Sequence, residues 1–240
     1  MKKKLIVGDN IQSNRGSWVF SSQVAKSFVS HAKKSIIGYE DGHDLICKLS
    51  DFFCSKNGVI IDIGVSTGEL IKKLIEYNSH KSNLKYYGID IEKPMIDKAK
   101  KFIGKRKNLK LINKDILLYD LPNNDFLISY YTIQFIQPKF RQDIFNKIYK
   151  SLNWGGAFIL FEKVRGPDAR FQDIISNLYN NFKVEMGFSS NEILAKAEGI
   201  KGVLEPFSTE GNMGLLKRAG FQDIMTIYKN VCFEGFLCIK

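Results

Sequence analysis

From residue 45 onward, short β-branched or aromatic runs alternate with longer stretches of helical period, and this alternation narrows the available folds more than any other feature. It is the pattern of a parallel sheet covered by helices on both faces. The strand candidates are Val59–Ile63, Tyr86–Asp90, Lys110–Ile112, Phe126–Ser129 and Ala157–Phe161, each bounded by turn or polar residues. Helices are expected around 68–77, 94–103 and 138–152, the last with Ile144, Ile148 and Leu152 on one face. Asn153-Trp154-Gly155-Gly156 reads as the end of that helix and the lead into the fifth strand. A helix near 209–219, a strand near 223–228 and a last strand near 231–239 follow. The turn before the last strand is too short for a crossover, so that strand must pair antiparallel. The expectation is an α/β, three-layer Rossmann-like fold whose seven-stranded sheet is mostly parallel, with an antiparallel last strand.

At 240 residues and 44% apolar content the chain can bury one catalytic-size core. A single domain 1–240 is expected, divided into an N-terminal lid segment 1–44, a cofactor-binding core 45–163, a helical insert 164–207 and a C-terminal helix and strand hairpin 208–240. The apolar run that opens the chain stops at Gly8-Asp9-Asn10, too short for a secretory signal, and no later window suits a membrane span. Four scattered cysteines suit neither a disulfide framework nor a zinc site, so a cytoplasmic protein without a metal is expected. The formal charge of +11 admits a polyanion partner, but the lysines are spread over amphipathic stretches, where a solvated face also accounts for them.

In an open parallel sheet, ligands sit beyond the carboxyl ends of the strands where the strand order reverses. The first core strand exits through Asp62-Ile63-Gly64-Val65-Ser66-Thr67-Gly68-Glu69, a turn that suits close backbone approach by a ligand at Gly64, Ser66 and Gly68. A dinucleotide is disfavoured: a pyrophosphate fingerprint needs glycines where Ser66 and Glu69 stand, and a carboxylate at the start of a helix opposes phosphate. A phosphate-free cofactor with a positive centre meets no such conflict. Asp90 and Ile91 lie at the end of the second core strand, where a carboxylate can accept both hydroxyls of a ribose. Asp115 and Ile116 follow the third, placed to meet the edge and face of a base.

These features resemble the class I S-adenosylmethionine-dependent methyltransferases and, within them, the carboxy-S-adenosyl-L-methionine synthase family of the tRNA wobble-uridine pathway. The resemblance runs from Trp18 to Lys240. Its specific pieces are Trp18-Val19-Phe20, Val24-Ala25, Gly38-Tyr39, the Asp62–Gly68 turn, Thr132-Ile133-Gln134-Phe135 with Pro138, Asn153–Gly156, Glu162-Lys163, and Lys217–Phe221. It implies S-adenosyl-L-methionine as cofactor with S-adenosyl-L-homocysteine as product, contacts from Tyr39 and Tyr130, and a homodimer in which the helical insert reaches toward the neighbouring subunit. It also implies an arginine for the carboxylate of a carboxylated cofactor, with prephenate as carboxyl donor. Ala197 stands at that position, and a methyl group cannot replace a guanidinium, although Lys196 and Lys201 are near in sequence. The reading favoured on this departure is methyl transfer to a small or medium-sized acceptor. The alternatives are carboxy-S-adenosyl-L-methionine synthesis and a non-catalytic tRNA- or protein-binding module.

His43, which follows Tyr39-Glu40-Asp41, and Tyr131, at the exit of the fourth core strand, are the catalytic candidates; each also fits a plainer role, as a capping histidine or a pocket wall. His31 and His80 read as solvent residues, and Glu162-Lys163 as an exposed ion pair. The acceptor is expected to be a small molecule rather than nucleic acid, with tRNA as the nucleic-acid possibility and no membrane partner.

Overall fold

Along Val59–Ile63 the isoleucines at 60 and 61 belong to two different buried clusters, because successive strand side chains leave on opposite faces. The same division continues at 126/127, 128/158 and 159/160, so one sheet separates two apolar layers. The computed structural model describes residues 5–9 and 11–240. A small antiparallel hairpin, β1 (Leu5–Ile6) and β2 (Gln12–Ser13), precedes α1 (Ser22–Ser35) and α2 (Tyr39–Phe53). The core then runs β3 (Val59–Ile63), α3 (Glu69–Tyr77), β4 (Lys85–Asp90), α4 (Lys93–Ile103), β5 (Leu109–Asn113), β6 (Asn124–Tyr130), a 3-10 turn (Ile133–Phe135), α5 (Pro138–Ser151) and β7 (Leu152–Lys163). After it come α6 (Ala169–Glu185), α7 (Ser190–Gly199), α8 (Thr209–Ala219), β8 (Asp223–Asn230) and β9 (Phe233–Ile239).

The sheet order is β5-β4-β3-β6-β7-β9-β8, with β9 antiparallel to both neighbours and the other pairings along the core parallel. This is the architecture expected from the alternation. Helices α2, α3 and α4 cover one face through Ile46, Ile71, Leu74, Ile96 and Ala99. Helices α5 and α8 cover the other through Ile144, Phe145, Ile148, Leu215 and Leu216. The strand order reverses at β3, which is flanked by β4 on one side and β6 on the other, so a crevice opens beyond its carboxyl end.

Two details differ from expectation. Helix α5 stops at Ser151, and Asn153–Gly156 forms a bulge inside the start of β7: Asn124 pairs with Leu152 while Phe126 pairs with Ala157. The division expected at residue 44 falls inside α2, so the first segment and the core share a helix. A third cluster joins the N-terminal segment to the region 164–207: Val7, Ile11, Trp18 and Val24 gather around Met95 of α4, with Ala195, Ile200 and Val203 against them.

Candidate functional site

The exits of β3, β4, β5, β6 and β7 open into one cavity of about 750 Å³, roofed by residues of α1, α2, α6 and α7. At the β3 exit Gly64 has φ +76, and a Cβ there would stand 2.0 Å from Thr132 Oγ1, so only glycine fits. Four of the turn's amides are spent internally. Gly64 and Val65 N–H donate to the Ile89 carbonyl at 2.7 and 3.1 Å, Ser66 N–H donates to Asp90 Oδ2 at 2.9 Å, and Gly68 N–H donates to the Val65 carbonyl at 3.0 Å. Amides used this way cannot cradle a pyrophosphate, in agreement with the sequence argument against a dinucleotide.

Asp90 also accepts from Glu92 N–H at 2.8 Å, so its carboxylate is fixed between two backbone donors and keeps lone pairs for a ligand's hydroxyls. Asp62 is buried beneath the same turn. Burial, with the Asp90 charge adding to it, pushes its carboxyl up to about 7. Asp115 is oriented by accepting from Leu117 N–H at 2.9 Å. Ile91, 61% exposed, and Ile116, buried, both line the cavity.

The exit of β6 and the first turns of α2 contribute a packed aromatic group. Tyr130 Oη donates to the Tyr39 carbonyl at 2.6 Å, and the rings of Tyr39, His43 and Tyr130 lie 4.6–5.5 Å apart. His43 is 4% exposed and burial lowers its imidazole to about 4, so it is neutral at pH 7; its Nε2 has no partner among the described residues. Tyr131 holds φ +57, a conformation a tyrosine rarely adopts, and its buried hydroxyl is likewise without a partner among the described residues. Burial raises the Tyr130 and Tyr131 hydroxyls well above the ordinary phenol range, so both stay protonated donors.

Of the residues proposed from sequence, Tyr39, His43, Asp62, Gly64, Ser66, Asp90, Ile91, Asp115, Ile116, Tyr130 and Tyr131 all line this cavity. Gly68 does not. With φ +91 it begins α3, and a Cβ would press on Ile103 and Ala99 of α4, so it serves helix packing. His31 is not a solvent residue: it is 5% exposed, lines the cavity and accepts or donates at both ring nitrogens. His80 is exposed, as expected. Glu162 and Lys163 are not an exposed pair. Glu162 is 3% exposed and burial pushes it up to about 8, while half-buried Lys163 lines the cavity.

Of the opposite end of the cavity the sequence points only to Lys196, a cation near Ala197; Lys163 reads as exposed and Lys183 is not singled out. Lys163 from β7, Lys183 from α6 and Lys196 from α7 meet there. The ammonium groups of Lys163 and Lys183 both stand 4.1 Å from the centre of the Tyr179 ring. Burial lowers all three, and mutual repulsion adds to this for Lys183 and Lys196, which fall to about 8 and about 7. Ala197 lines the same end. The signal in the sequence was a lysine on a helix face shared with Ser176, Tyr179 and Asn180, spacings at which a buried charge needs a purpose. The cavity is therefore acidic where β3, β4 and β5 end and basic where β7, α6 and α7 meet, with aromatic rings between.

A family model described as a methyltransferase domain matches residues 60–156. The chain is 36% identical to a carboxy-S-adenosyl-L-methionine synthase of Staphylococcus epidermidis over 95% of its length and 99% of that protein. It is 34% identical to the enzyme of the same name from Campylobacter lari, over 92% and 94%. Among solved structures, human N-acetylserotonin methyltransferase in complex with S-adenosylmethionine superposes with a TM-score of 0.61 at 17% identity, over 91% of this chain and 55% of that one.

Proposed function

The chain belongs to the carboxy-S-adenosyl-L-methionine synthase family of S-adenosylmethionine-dependent methyltransferases, and we propose that it is a one-carbon transferase whose second substrate delivers a carboxylate to the lysine-lined end of the cavity. The observation that carries this reading is three lysines lining one cavity, Lys163 and Lys183 over the Tyr179 ring and Lys196 beside Trp18. Like charges gathered in a partly desolvated cavity repel and lose hydration, and an anionic ligand offsets both costs. The missing arginine at Ala197 favoured methyl transfer to a small or medium-sized acceptor; the three lysines that line the cavity with Ala197 supply positive charge by other means.

The acidic end fits S-adenosyl-L-methionine on its own chemistry. Asp90 is oriented to accept the ribose hydroxyls, Ile91 and Ile116 offer apolar faces to the base, Asp115 offers an acceptor at its edge, and Asp62 is a buried acid suited to a cation. The cofactor supplies the one-carbon unit as a methyl group on positively charged sulfur. Tyr39, Tyr130 and Tyr131 wall the region between the two ends and keep water out, and the Tyr131 hydroxyl is free to donate toward a carboxylate. With prephenate as donor, the transfer would break one C–H bond of the methyl group and the donor's C–CO2 bond, the donor ring would become aromatic as its hydroxide leaves, and the balance would close as water once a side chain relays the methyl proton. His43, neutral and with an unpartnered Nε2, is the side chain in this wall able to take it.

Incubation with S-adenosyl-L-methionine and prephenate, followed by mass spectrometry of the nucleoside product, tests the reading. A product heavier than S-adenosyl-L-methionine by one carboxyl group supports it. Unchanged cofactor, or S-adenosyl-L-homocysteine formed with an acceptor and no carboxylated product, sinks it and returns the reading that Ala197 favours, methyl transfer to a small acceptor. The four cysteines are buried and unpaired, which supports a reducing compartment such as the cytoplasm. A homodimer is supported by Phe171, Ile174 and Leu178, exposed on the face of α6 opposite Tyr179 and Lys183.

A further inference from the structure

Asp9, His31 and Lys196 form a line of hydrogen bonds from the N-terminal hairpin to the basic end of the cavity. Asp9 lies in the turn between β1 and β2, its side chain 15% exposed, and its two oxygens meet His31 Nδ1 at 2.8 Å and Lys34 Nζ at 3.0 Å. With the Nδ1 proton directed at that carboxylate, Nε2 is left as an acceptor, and Lys196 Nζ donates to it. Lys196 donates a second bond to Ser35 Oγ at 3.0 Å. Trp18 stacks on the imidazole and Phe188 meets it edge-on, so the ring has little freedom to turn. An ammonium has three N–H groups; two are held by neutral acceptors on α1, and the third is left for the cavity that His31, Ser35 and Lys196 all line.

We propose that Asp9 and His31 are positioning residues that hold Lys196 as a cation facing the cavity, ready for the carboxylate of the second substrate. The purpose assigned to Lys196 rests on the carboxylate reading given above. The groups that bear on its charge are Asp9 from the hairpin, His31 and Lys34 from α1, Lys183 from α6 and Lys163 from β7. Burial and the two lysines drive its proton off, and Asp9 is the group that opposes them. Removing the Asp9 charge must therefore lower the pH at which Lys196 becomes neutral. A pair that merely fastened the hairpin to α1 would not move that midpoint.

The test uses the full chain and its Asp9→Asn and His31→Gln variants, with S-adenosyl-L-homocysteine affinity as the control for an intact acidic end. Trace acetylation of each lysine by acetic anhydride, measured across pH by mass spectrometry, reports the Lys196 midpoint; calorimetry reports prephenate binding. The expected result is a midpoint near neutrality that moves to lower pH in Asp9→Asn, and roughly tenfold weaker prephenate binding at pH 7 in both variants, the loss of about one charge-assisted bond. A Lys196 midpoint unchanged in Asp9→Asn, with S-adenosyl-L-homocysteine binding retained, would overturn the proposal. If Asp9→Asn does not fold, unaltered Lys196 reactivity and prephenate affinity in His31→Gln overturn it equally. A midpoint that moves as expected while the parent protein binds no prephenate supports the positioning role and instead overturns the carboxylate reading.

Discussion

Asp62 shows how one residue can couple ligand binding to protonation. Its carboxyl is raised to about 7 in the folded protein, against an ordinary value of 3.8. Its contribution to stability is therefore fully present below pH 3.8 and is lost as pH rises through about 7, because above that value the fold must hold a buried charge. Asp62→Asn removes this loss, and the variant should melt several degrees higher than the parent at pH 8, for roughly 2 kcal/mol, with little gain at pH 4. A cation placed beside Asp62 reverses the logic by favouring the carboxylate. Binding of S-adenosyl-L-methionine at pH 6 should thus expel a fraction of a proton, read from calorimetry in buffers of different ionisation enthalpy, and Asp62→Asn should abolish that release. Asp62, Asp90 and Asp115 were legible in the sequence because a carboxylate at a strand exit is a positional signal. His31 and Lys163 were not: a histidine on an amphipathic helix and a lysine after a glutamate look like solvent residues until the fold shows what faces them.

At the scale of elements, the core alternation was readable because apolar residues marked every strand and helix with its own period. Helices α1 and α2 were not expected, although the buried positions Val24, Ala25, His31, Ala32 and Ser35, and Tyr39, His43, Ile46, Cys47 and Ser50, have helical spacing. Several of those residues are polar because they face the cavity or its walls, and polarity hides the period that an apolar stripe would display. Helix α7 depends on its own ends. Ser189 accepts from Glu192 N–H while Glu192 accepts from Ser189 N–H, a reciprocal cap on the helix that carries Lys196 and Ala197. Ser189→Ala should cost about 1 kcal/mol. Hydrogen exchange should quicken within α7 while β3, β6 and β7 keep their protection, and prephenate binding should weaken more than S-adenosyl-L-homocysteine binding.

For the molecule as a whole, the cavity's two ends have different origins. The acidic end is built by strands of the sheet, of which β3 and β4 are hydrogen-bonded on both sides and β5 along one, whereas the basic end is built largely by α6 and α7, which lie outside the sheet. Helix α6 directs Tyr179 and Lys183 inward and leaves Phe171, Ile174 and Leu178 about half exposed on its other face. Covering that stripe with a second copy of the chain would fasten α6 from outside, so the proposed pairing and the binding of an anion should reinforce one another. Sedimentation of the parent protein should show a dimer that dissociates on dilution, and Leu178→Glu, which places a charge in the stripe without touching the cavity, should give a monomer. If the coupling holds, that monomer binds S-adenosyl-L-homocysteine as the parent does and prephenate several-fold more weakly. A Leu178→Glu protein that sediments like the parent would remove α6 from the interface, and a monomeric one with full prephenate affinity would separate assembly from the site.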